Sequence, residues 1–150
     1  CFGWSPYLAK EFMSNRGLLG RDYVNHYEDY WGAVTNRKHL DDMDWLANSV
    51  EYFVNGNRYV VTQLKLRLEV FKEAKVADAH AVFSVYASSL FSKISDADIP
   101  VEIIVAIMKN TAVSVKLDQW KLIVEKSEYY NNQFGGYSLY FVIEHQNHID

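Results

Sequence analysis

Arg58-Tyr59-Val60-Val61-Thr62-Gln63-Leu64-Lys65-Leu66-Arg67-Leu68-Glu69-Val70-Phe71 is the stretch on which the fold turns. Leu64, Leu66, Leu68 and Val70 alternate with Lys65, Arg67 and Glu69, the two-residue period of a half-buried strand. Val61, Leu64, Leu68 and Phe71 also fall at helical spacing, and Leu, Lys, Arg and Glu are good helix formers. A helix here would merge with the next helical segment into one rod. The Asn55-Gly56-Asn57 turn before it and the β-prone run Tyr59–Thr62 favour the strand.

Upstream, the apolar spacing reads as helical. Ser5-Pro6 is a helix start, with Tyr7, Leu8, Phe12 and Met13 following and Gly17 and Gly20 closing it. Tyr23, Tyr27, Tyr30, Trp31 and Val34 fall at i, i+4, i+7, i+8 and i+11, one aromatic helical stripe. Leu40, Met43, Leu46, Ala47, Val50, Phe53 and Val54 predict a third helix. Asp41, Asp42 and Asp44 sit at its positive end, and Asn55-Gly56 is its C-cap.

Downstream, Ala79, Val82, Phe83, Tyr86, Leu90 and Ile94 mark the buried face of a helix over 74–94. Pro100 opens a second helix that is apolar nearly all round to Met108, which predicts a central position. Then the period changes. Val113, Val115 and Leu117 alternate with Ser114 and Lys116. Trp120–Tyr130 and Tyr137–Glu144 are rich in β-branched and aromatic residues, with a loop composition over Asn131–Gly136 between them. The expected fold is α+β: a helical N-terminal two-thirds packed on a small antiparallel sheet with a C-terminal β-hairpin, in one domain over 1–150.

Composition narrows the function. The net charge of −4 disfavours a protein built to grip phosphate backbones. The longest apolar run, Ile103–Met108, is far short of the ~20 residues of a membrane span. The one cysteine, Cys1, excludes a disulfide framework. The expected location is cytoplasmic; if Cys1 is a processed N-terminus, the chain is lipid-anchored or exported.

Candidate chemistry is sparse. His145 and His148, with Glu144 and Asp150, offer donors for zinc or a similar ion, which would suit a small metal-dependent hydrolase, but a frayed tail lacks rigid support. His26 with Glu28 and Asp29 resembles a general base with carboxylates, though these residues do not share one helix face. A winged-helix nucleic-acid binder would need a helix over 113–124 carrying Lys116 and Lys121, and a wing over 131–136; the alternation at 113–117 opposes it. No glycine pattern cradles phosphate and no serine sits in a nucleophile elbow, so no cofactor is expected.

The aromatic content, 15% and gathered at both ends of the chain, points elsewhere. Tyr and Trp combine a large apolar body with a polar handle, which suits protein interfaces. The leading expectation is a non-enzymatic protein-binding module of inhibitor, immunity or assembly type. Its contact residues would be Tyr23, Tyr27, Tyr30, Trp31, Tyr129, Tyr130 and Phe134, and its partner another protein or a second copy. In the last strand Tyr137, Leu139, Phe141 and Ile143 face a core. Ser138, Tyr140, Val142 and Glu144 face the other way, toward a covering helix or a partner.

Overall fold

Residues 61–70 form a strand, and it lies in the middle of a single antiparallel sheet. The computed structural model describes residues 9, 23–28, 30–34, 38–39, 49–57, 61–70, 76–95, 97–117, 119–128 and 137–145. Its elements are β1 (Val24–Tyr27), β2 (Tyr30–Val34), β3 (Lys38–His39), β4 (Ser49–Gly56), β5 (Val61–Val70), α1 (Val76–Ser95), α2 (Val101–Lys109), β6 (Val113–Leu117), β7 (Trp120–Glu128) and β8 (Tyr137–His145). The strand order is β1-β2-β4-β5-β8-β7-β6, with β3 paired to the start of β4. Two meanders therefore share one sheet. The helical connection carries the chain from β5 to the far edge, and β8 then closes on β5.

The helical N-terminal two-thirds expected from spacing is not what forms: among the described residues, 24–70 hold strands only. Two coincidences of spacing explain the error. The aromatic stripe from Tyr23 to Val34 is two short strands joined by a tight turn, with Glu28 at φ 48° and the Asn25 side-chain amide donating to the Glu28 carbonyl at 2.7 Å. A turn of that length returns aromatic residues at intervals that imitate a helix. In the supposed third helix, Val50, Tyr52 and Val54 face the core because they lie opposite Leu68, Leu66 and Leu64. Phe53, counted toward the helical stripe, points to the other face. Pairing along all of β5 leaves β4 no freedom to coil. The expected first helix lies outside the described residues apart from Ala9, as do residues 40–48.

The core sits between one face of the sheet and the two helices. Leu64, Leu66 and Leu68 pair in register with Ile143, Phe141 and Leu139, and all six are fully buried. Each such side chain contributes roughly 1.5–3 kcal/mol by leaving water. Phe83, Ala87, Leu90 and Phe91 of α1 and Ile103, Ala106 and Ile107 of α2 cover them. The Tyr52 hydroxyl, buried among these residues, donates to the Ala9 carbonyl at 2.9 Å.

The helices differ in detail from the sequence reading. Val82, expected in the buried face of α1, is 37% exposed. Nor is α2 central: it leaves Val101 67% and Met108 48% exposed. His80 is the polar member of α1's inner face. Its Nδ1 meets the Ile107 carbonyl and its Nε2 lies 2.6 Å from the Tyr137 hydroxyl, so one ring ties α1, α2 and β8 together. Past α2, Asn110 adopts the left-handed conformation at φ 58°, and Thr111 N–H bonds the Ala106 carbonyl at 2.9 Å. This pattern satisfies carbonyls that the helix end would otherwise leave open.

Candidate functional site: the outer face of the sheet

Strand alternation that buries the leucines sends their neighbours to the face turned away from α1 and α2. Register aligns these neighbours in rows across the strands. One row is Val34, Phe53, Lys65, Val142, Ile123 and Ser114. A second is Glu51, Arg67, Tyr140 and Glu125; a third is Asn55, Gln63, Glu144 and Lys121.

The side chains of these rows interlock. The Lys65 ammonium lies 4.8 Å from the centre of the Phe53 ring and 5.3 Å from that of Tyr140. The Arg67 guanidinium is 5.9 Å from the Tyr140 ring and 2.6 Å from Glu69, with Glu51 at 3.8 Å. Such cation–ring contacts contribute about 0.5–1 kcal/mol when exposed and ~2 kcal/mol when dry. Asn55 donates to Gln63 at 2.8 Å, and Gln63 donates to Glu144 at 3.1 Å. Burial, and next the positive charge of Arg67, hold the Lys65 amine below its ordinary value; Glu125 partly offsets them.

Between the rows lies an open groove of about 240 Å³. Ile123 and Val142 form its floor, and Gln63, Lys65 and Tyr140 line it. Glu125 and Glu144 belong to it too, one on either side of the apolar row. The arrangement offers flat aromatic surface, paired charge and little enclosure. None of its lining residues forms a nucleophile–base pair.

The residues singled out from sequence are dispersed. Tyr30 is 39% exposed and shares the outer face, beside the row of Asn55, by alternation with Gly32 and Val34. Tyr23 and Trp31 instead stack on each other on the core side, ring centres 5.9 Å apart, and the Tyr23 hydroxyl donates to the Asn57 carbonyl at 2.6 Å. The Tyr27 backbone lies in β1. Its side chain, that of His26, and all of Tyr129, Tyr130, Phe134 and His148 fall outside the described residues.

His145 is buried rather than frayed, edge-on to Trp120 with ring centres 5.0 Å apart. Among the described residues, no three of His, Cys, Asp and Glu gather as metal ligands. Residues 113–117 and 120–124 lie in strands β6 and β7, so the reading helix of a winged-helix arrangement is not formed there. No described helix is long and apolar enough to cross a membrane.

Sequence reasoning missed Phe53, Lys65, Arg67, Ile123 and Glu125 as neighbours. The alternation in β5 and β8 already placed Lys65, Arg67 and Tyr140 off the core. Which strands would lie side by side was not readable, because β5 and β8 are far apart in the chain. Compared with family models, curated proteins and solved structures, the chain matches none.

Proposed function

We propose that the protein is a protein-binding module that acts by occlusion through the outer face of its sheet. The observation that supports this reading is the row of half-buried aromatic, aliphatic and ionic side chains around the groove, on the face away from the helices. Tyr and Arg are the residue types that dominate binding energy when a partner dries them. Tyr30, from the original aromatic set, extends the same face.

Tagged protein used as bait in its native host, with light scattering on the eluate, tests the reading. A stoichiometric protein partner, or a second copy, is the expected result. Tyr140→Ala should weaken that complex at least tenfold while circular dichroism stays unchanged. Recovery of nuclease-sensitive nucleic acid without protein would overturn the proposal, as would a complex insensitive to Tyr140, Phe53 and Tyr30 together.

A further inference from the structure

We infer that the groove receives an arginine side chain from the partner; this deepens the protein-binding reading and rests on it. The charge around the groove decides the class of guest. Two carboxylates, Glu125 and Glu144, and one ammonium, Lys65, line it. Of the flanking cations, Arg67 is engaged by Glu69 and Glu51, and Lys121 stands in the row beyond, opposite Glu144. The lining thus keeps a net negative charge that favours a cation. Glu144 spends one oxygen on Gln63, while its other oxygen and both of Glu125 take no hydrogen bond among the described residues.

The floor of Ile123 and Val142 suits an alkyl stem, and the Tyr140 ring suits a planar cation. A guanidinium stacks on aromatic faces and bonds carboxylates through a fixed fork, which an ammonium cannot do. The chain's own negative charge adds long-range attraction for a basic surface. Lys65 and Arg67 are the internal competitors: both lie over the Tyr140 ring, and Lys65 also lies over Phe53 and in the field of Glu125.

The test is a titration of the 150-residue chain with n-butylguanidinium, followed by amide NMR, with n-butyrate as the anionic control. Saturable shifts at Lys65, Ile123, Tyr140 and Val142 are expected at concentrations at least fivefold below any butyrate response. Glu125→Gln with Glu144→Gln should weaken the guanidinium at least tenfold, and Lys65→Met should tighten it about threefold. Absence of saturation, a preference for butyrate, or indifference to the Gln substitutions would each overturn the inference.

The two proposals fail separately. If the captured partner still binds the Glu125→Gln, Glu144→Gln protein undiminished, the arginine assignment falls and the protein-binding reading stands. If the groove takes butylguanidinium but the bait recovers neither a protein nor a second copy, the protein-binding reading falls.

Discussion

Tyr52 shows how one side chain can carry both packing and pH dependence. Its ring is fully buried opposite Leu66, and its hydroxyl bonds the Ala9 carbonyl. Tyr52→Phe removes that bond and should cost about 0.5–1.5 kcal/mol in urea denaturation at neutral pH. Burial also holds the phenol above its ordinary value of 10.0, and the half-buried Tyr137 shifts in the same direction. The fold therefore keeps protons that the unfolded chain releases first. Their stabilising contribution is complete below about pH 10 and declines as pH rises beyond it. Urea midpoints across that alkaline range should fall, and Tyr52→Phe should flatten the fall. Leu66→Ala, at a fully buried site between Tyr52 and Phe141, should cost ~2–5 kcal/mol in the same assay with little change in slope.

At the scale of elements, the end of α2 depends on a backbone shape that few residues accept. Asn110 holds φ 58°. Asn110→Val should destabilise by about 1–2 kcal/mol, whereas Asn110→Gly should be nearly neutral, as thermal denaturation would show. Alternation in Leu64–Val70 and in Val113–Leu117 pointed to strands, although Val61, Leu64, Leu68 and Phe71 also satisfy a helix and only the flanking Asn55-Gly56-Asn57 turn and Tyr59–Thr62 tipped that segment. The helices over 76–95 and 101–109 were legible from apolar spacing in the first and from Pro100 opening the second. Residues 49–56 were not, since Val50, Phe53 and Val54 satisfy a helix while Val50, Tyr52 and Val54 satisfy a strand. What decided between them was β5, a partner that local spacing does not reveal. The outer face was half legible: Tyr140 and Val142 were placed off the core, yet Lys65 and Glu125 join them only through the long-range pairing of β5 with β8.

At the scale of the whole molecule, that pairing is the seam between two meanders. It runs in register from Gln63–Glu144 to Val70–Tyr137 and is sealed by α1 and α2 on one side. Hydrogen exchange should find the slowest amides in β5 and β8, at the free energy of global unfolding, and faster exchange in β1 and β6 at the rims. Refolding should take milliseconds to seconds in stopped flow, because contacts between distant segments must close before they stabilise.

The seam has a further consequence while the protein is being made. Once Val70 has emerged from the ribosome, β5 displays a row of leucines that stays bare until α1 and α2 follow, and one unzipped edge that stays open until Tyr137–His145 emerges. At about 5–20 residues per second this wait lasts several seconds. A nascent chain paused within that interval should bind a holdase chaperone, and the same chain paused after His145 is free of the exit tunnel should not. Slow codons between the two strands would thus lower the yield of protein without altering any residue of it.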